Sequence, residues 1–219
     1  MARIIDSAPT VTKVILESMA KSIQNKIELI ETVGYIARET TRLCKSIVGE
    51  TFPIGSLTVF SHSEPEYELL VEILGALGKP YNYNNGPRVE LFEPIVVDNN
   101  KINYLRVRKP DIERPQVGCN DFVTDYELFK KDFLIKYPNN IRLIKRPEYE
   151  MIELFSPEFD VLAYVVSGEF NKTQKIQNIY NDFIIKLNGL KNKQFNFLKK
   201  LFAKKQEADL EELRKNLRS

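Results

Sequence analysis

Between residues 86 and 121 the chain reads GPRVELFEPIVVDNNKINYLRVRKPDIERPQVGCND, two stretches of alternating side chains on either side of Asp98-Asn99-Asn100. Successive side chains of an extended strand point to opposite faces, so this pattern predicts a hairpin with one buried face. Val89 and Leu91 then share a face with Leu105 and Val107. Arg88, Glu90 and Phe92 occupy the other face of the first strand, and Tyr104, Arg106 and Arg108 that of the second. A sheet face with three guanidinium groups, a carboxylate and two aromatic rings adds little stability through exposed ion pairs alone. Two arginines two residues apart on a strand aim in parallel, and their planar forks suit carboxylate or phosphate groups. The same side chains can instead pair with Glu90, Glu93 and Glu153 on neighbouring strands and hold no ligand.

The hairpin leads into a loop over residues 108–121 that two prolines stiffen, with Gly118 free to adopt backbone angles that other residues avoid. Such a loop can project Arg114, Gln116 and Asp121 over the charged face as a clamp, or can serve only as a rigid connection.

Around this centre the punctuation predicts an α+β unit. A short strand over 57–60 precedes a helix over 64–77, with Pro65 in its first turn and Gly78 as C-cap. The hairpin follows, then a helix over 125–137 and strands over 141–145, 150–155 and 160–166. Before it, apolar residues at three- and four-residue spacings from Val14 to Ile36 predict a helix over 8–49 that Thr10 or Thr12 caps and Gly49 ends. After it, residues 172–219 return to helical spacing. The division expected is a helical segment over 1–54, an α+β cup-shaped domain over 55–171 and a basic helical segment over 172–219.

Charge follows that division. Residues 172–219 carry 12 Lys+Arg against 5 Asp+Glu, and residues 1–171 carry 20 against 25, giving the chain its net +2. A basic tail suits a nucleic acid or an acidic partner, aided by Tyr180, Phe195 and Phe197, although helical spacing explains these rings as packing surface. The two cysteines, Cys44 and Cys119, have no metal-type spacing, and the first residues lack the apolar core of a signal peptide. The expectation is a soluble cytoplasmic protein with no membrane partner. Nucleotide-binding glycine loops, the G-x-S-x-G nucleophile turn and the H-E-x-x-H zinc motif are all absent from the sequence.

A strand ending at a histidine (LTVFSH), a helix, a long hairpin and a closing strand with a glutamate (MIELF) resemble the βαβββ module of the vicinal-oxygen-chelate superfamily. That group includes glyoxalases, extradiol dioxygenases and bleomycin-resistance proteins. The resemblance covers about 110 residues of one module, with the 125–137 helix as an insertion. It implies a single curled mixed or antiparallel sheet, flanked by the N- and C-terminal helices, that forms a cup for a divalent metal or an organic ligand. It also implies His62 and Glu153 as metal or acid–base groups, with Glu90 facing the same cup. Three functions remain open at this level. One is a small-molecule-binding or lyase/isomerase-like cup in which Arg88, Tyr104, Arg106 and Arg108 hold an anionic metabolite. Another is a homodimeric or partner-docking module without catalysis. The third is nucleic-acid binding by the tail.

Overall fold

The computed structural model describes residues 22–82, 86–168 and 194–216. The chain is α+β, as its punctuation predicts, and its strands form one mixed sheet of eight that does not close on itself. In chain order the elements are α1 (Lys26–Val48), β1 (Ile54–Phe60), α2 (Glu64–Leu77), β2 (Gly78–Asn82), β3 (Arg88–Val97) and β4 (Asn100–Arg108). They continue with β5 (Gly118–Phe122), α3 (Tyr126–Phe133), β6 (Ile141–Lys145), β7 (Glu150–Leu154), β8 (Val161–Val166) and α4 (Gln194–Asn216).

The strand order β2-β3-β4-β1-β5-β8-β7-β6 contains one pattern twice. In the first half β1 lies parallel to β4, which pairs antiparallel with β3, and β3 with β2. In the second half β5 lies parallel to β8, which pairs antiparallel with β7, and β7 with β6. The two halves meet where β1 and β5 run antiparallel, Thr58 opposite Cys119. Each half is therefore a βαβββ unit, and α3 corresponds to α2. The single module with an inserted helix is thereby corrected to two modules side by side.

The sequence hides the second module in β5. Its residues, Gly118-Cys119-Asn120-Asp121-Phe122, include Gly, Asn and Asp, which strands usually avoid, so the segment reads as loop. It forms a strand because it is buried between two neighbours and pairs on both sides. Strand β2 is hidden similarly: it opens with Gly78 and contains Pro80, a residue confined to sheet edges, where β2 lies. Gly78 is the C-cap of α2, as expected, but in extended rather than left-handed backbone, because it is also the first residue of that strand. A Cβ there would come 2.4 Å from the carbonyl oxygen of Glu90.

The expected helix over 8–49 begins later, at Lys26, with Asn25 as its N-cap accepting from the Glu28 amide at 3.0 Å. Its earlier part, including Thr10, Thr12 and Val14, lies outside the described residues. Gly49 closes it at φ 84°, donating to the Lys45 carbonyl. Helices α1, α2 and α3 all pack on one face of the sheet. Leu29, Val33, Ile36, Leu43, Leu70, Leu74 and Phe129 join Leu57, Val59, Val89, Leu105, Val107, Ile152 and Val165 in one core. A second, smaller cluster, Phe60, Cys119, Leu162 and Tyr164, lies on the opposite face and contains no helical residue.

The C-terminal helix does not stand free of this body. Arg214 of α4 donates from Nε to Glu148, in the turn before β7, at 2.9 Å, and its Nη1 reaches Glu207 and Glu211. Leu210 of the same helix is buried.

Gly118 is hemmed in by β1 and α1: an added Cβ would sit 2.4 Å from the Thr58 carbonyl oxygen and 2.5 Å from Ile36 Cδ1. Backbone cannot give way as a flexible side chain can. We expect Gly118→Ala to lower stability by about 1–3 kcal/mol, measured by chemical denaturation. Gly75→Ala, within α2 and with nothing near its new methyl, should raise stability by about 0.5–1 kcal/mol. Equal midpoints for wild type and Gly118→Ala would contradict the close approach of the β1 backbone at this position.

Candidate functional site: the sheet face opposite α1, α2 and α3

The hairpin register sets the chemistry of the face that α1, α2 and α3 leave uncovered. Val89 pairs with Leu105 on the helix side, which places Arg88 opposite Arg106 and Glu90 opposite Tyr104 on the other. The hairpin turn puts Asp98 in the left-handed region at φ 52°, and a register shift between Glu90 and Ile95 separates that turn from the Arg88–Arg106 pair. Residues with short polar side chains tolerate that conformation.

Arg88 is buried, and its guanidinium lies 5.4 Å from the ring centroids of both Tyr81 and Tyr104. Those rings are 4.9 Å apart. Arg106 sits beside it, its pKa held below the usual guanidinium value first by desolvation and then by the Arg88 charge, with Asp121 opposing. Like charges directly opposite one another on paired strands destabilise a sheet. Asp121, from β5, accepts a 2.5 Å hydrogen bond from the Ser56 hydroxyl.

Arg108, the third arginine of the hairpin, is engaged: its Nη2 donates to Asp111 at 2.6 Å, and it lies over the Phe60 ring. Cys119 lies between the two halves. Burial pushes its thiol up to about 12, and Asp121 adds to this, against a hydrogen bond with Thr58 and the charges of Arg106 and Arg108. A thiol so placed is protonated at neutral pH and is no nucleophile.

The second half of the face is organised by Glu153, which is fully buried on β7. Its Oε2 accepts from Tyr164 Oη at 2.7 Å and from Arg114 Nη1 at 3.0 Å, while Arg142 of β6 pairs with Oε1. Burial, then Cys119 and Glu153, raises the Tyr164 pKa. Desolvation opposes the charge on Arg114, but its hydrogen bonds to Glu153 and Tyr164 hold its pKa above the usual value. The expected loop thus does cross the sheet, but Arg114 closes onto protein groups.

The remaining candidates are dispersed. His62 follows β1 at the start of α2, where its Nε2 lies 3.2 Å from the Gln116 carbonyl oxygen and its Nδ1 3.8 Å from Glu66 Oε2. Glu66 is buried and also accepts from the amides of Ile23 and His62, so it ties the chain before α1 to the start of α2. Glu90 is exposed. Gln116 contributes its backbone carbonyl to His62, and its Oε1 is buried.

His62 contacts Gln116 and Glu66, whereas Glu153 contacts Arg114, Arg142 and Tyr164. Among the described residues, no three His, Cys, Asp or Glu side chains converge as a metal site requires. These residues do not fit a divalent metal. Two side chains that sequence reasoning did not select belong to the face: Tyr81, from the hidden strand β2, and Tyr149. Burial raises the Tyr149 pKa, and its phenol lies within electrostatic reach of Arg146, Arg106 and Asp121. Neither lies in an alternating stretch that could have signalled it.

In the tail, Tyr180 is outside the described residues, as are the side chains of Phe195 and Phe197. No helix among the described residues is long and apolar enough to cross a membrane.

No family model and no curated protein matches the chain. Among solved structures it is similar to one titled "Structural Genomics, Protein EC4020", at 12% identity and a TM-score of 0.47, over 70% of this chain and 97% of that one.

Glu153 gives the clearest energetic test of this arrangement. Either Arg114 or Arg142 alone leaves its carboxylate one guanidinium and the Tyr164 phenol. Removing both strands a buried charge, which costs about 3–5 kcal/mol. A double-mutant cycle by urea denaturation should therefore give small single losses for Arg114→Ala and Arg142→Ala and a double loss well above their sum. Additive single effects would contradict the shared carboxylate.

Proposed function

We propose that this protein binds a small anionic metabolite on the sheet face opposite α1, α2 and α3, with Arg88 and Arg106 as the anion-holding pair. The observation that carries this reading is the register that sets Arg88 opposite Arg106 across β3 and β4, where desolvation and then the Arg88 charge lower the pKa of Arg106. Two guanidiniums on one face, with Asp121 beside them, suit the paired oxygens of a carboxylate or phosphate. The two βαβββ units support the reading, since the vicinal-oxygen-chelate proteins that the sequence resembles build their cups from such pairs. Tyr81 and Tyr104 flank Arg88 and restrict its motion.

The binding role has firmer support than lyase or isomerase chemistry. Of the groups first considered for proton transfer, Glu153 is closed by two arginines and Tyr164, and His62 is held at the start of α2. Asp121 is the carboxylate nearest in charge to Arg106, so any proton transfer at the site falls to it. For a homodimeric or partner-docking module, the strongly exposed apolar side chains Ile27, Phe92, Ile112 and Ile135 lie on separate elements and give no specific support.

Thermal denaturation in inorganic phosphate, succinate and glycerol phosphate, each against chloride of equal ionic strength, tests the proposal. At least one anion should raise the wild-type midpoint. Arg106→Met should abolish that rise in a variant that still folds. If no anion shifts the wild type and Arg106→Met loses several kcal/mol, as expected when a structural ion pair is broken, the anion site is refuted.

A further inference from the structure

Helix α4 attaches to the body near its C-terminal end. Its 23 residues span about 35 Å at the α-helical rise. Ala203, Lys204 and Lys205, midway along it, are exposed. Leu210 is buried, and Arg214, one turn later on the same face, reaches the body. Arg214 donates from Nε to Glu148 Oε1 at 2.9 Å, and its Nη2 contacts the same oxygen. Glu148 belongs to the turn Arg146-Pro147-Glu148-Tyr149 between β6 and β7, which the Arg146 amide closes by donating to the Tyr149 carbonyl at 2.9 Å.

This ion pair can open without stranding its arginine. Nη1 of Arg214 also donates to Glu207 at 2.8 Å and to Glu211 at 3.2 Å, both on its own helix. Those two carboxylates travel with α4 when it leaves the turn, so the guanidinium keeps partners in either arrangement. The side chains of Glu148 and Arg214 are 15% and 21% exposed, which lets dissolved ions screen the pair. The turn that α4 holds also carries Tyr149, half-buried, with its phenol within electrostatic reach of Arg106 and Asp121. A contact on Glu148, the residue next to it, therefore bears on where that phenol sits.

We propose that α4 is a releasable strap on the β6–β7 turn: the Glu148–Arg214 pair closes it, rising salt opens it, and closure holds Tyr149 in its half-buried position. A two-state element needs two arrangements of similar free energy. The closed one has the Glu148–Arg214 contact and the buried Leu210. The open one gains the freedom of the helix and keeps Arg214 on Glu207 and Glu211. The strap is independent of the anion site proposed above, since it acts whether or not an anion binds.

Hydrogen exchange of the full chain, read by mass spectrometry, together with nitration of Tyr149 by tetranitromethane, tests this. Raising salt from about 0.01 M to about 1 M shortens the screening length from about 30 Å to about 3 Å. Amides around Leu210 and in the 146–149 turn should then exchange about fivefold faster, the scale set by losing one ion pair. Tyr149 should nitrate faster in the same step, while β1 and β5 keep their protection. At low salt, Arg214→Gln and Glu148→Gln should reproduce the open state and remove its dependence on salt. Arg214→Lys, which keeps the charge, and Glu207→Gln, which takes away a partner within the helix only, should stay closed. A variant that fails to fold is recognised by lost protection at β1 and β5, and the wild type in the two salts then decides alone. Amides around Leu210 that exchange at the unprotected rate at low salt, or that ignore both salt and Arg214→Gln, would overturn the strap. So would an α4 that opens while the nitration of Tyr149 stays unchanged, because the turn would then be held without it.

Discussion

The antiparallel pairing of β1 with β5 is the contact on which the rest of the structure depends. Thr58 opposite Cys119 joins two βαβββ units into one sheet, and Leu57 opposite Asn120 continues the seam. The pairing sets the Thr58 carbonyl of β1 so close to position 118 that a side chain there meets backbone, with Ile36 of α1 packed beside it. It also brings Ser56 and Asp121 within hydrogen-bonding distance and sets Asp121 beside Arg106, whose strand neighbours β1 on the far side. Shifted by one residue, the seam would exchange the two faces of β5, turning Cys119 and Asp121 into the core and Asn120 out of it.

Each face of the sheet answers a different requirement. The helix side buries leucine, isoleucine and valine from α1, α2 and nearly every strand in a single core, which supplies the driving force for folding. The other face is free to carry charge. There the protein uses two opposite solutions. Around Glu153 a buried carboxylate is matched by two guanidiniums and a phenol, so the group is closed and structural. Around Arg88 and Arg106 two like charges are set side by side, with Asp121 the nearby acid. Closed networks of the first kind specify a fold, whereas a like-charged pair gains most from a ligand.

How far the sequence reveals this depends on how local each signal is. The two strands of the hairpin and the opposed faces of Val89 with Leu105 and of Arg88 with Arg106 were legible, because alternation is written in neighbouring residues, but the irregularity between Glu90 and Ile95 was not. Helix α2 was legible to the residue, since Ser63, Pro65 and the apolar spacing mark its start and its face. Strand β5 was not, because Gly118, Asn120 and Asp121 are poor strand formers held extended only by partners about 60 and 40 residues away. Missing β5 concealed the second module. The link from Arg114 to Glu153 spans 39 positions, and no local pattern announces it. The three arginines of the hairpin looked equivalent in sequence. The fold separates them, tying Arg108 to Asp111 and setting Arg88 opposite Arg106 on paired strands.

The central claim is that the Arg88–Arg106 pair is an anion-binding site. A crystal structure determined after soaking in selenate, phased at the selenium edge, tests it most directly. The account predicts an anomalous peak within hydrogen-bonding distance of both guanidiniums, and no such peak at Arg114 or Arg142, which Glu153 already occupies. An empty Arg88–Arg106 site, with both guanidiniums bonded directly to carboxylates of the protein, would contradict it.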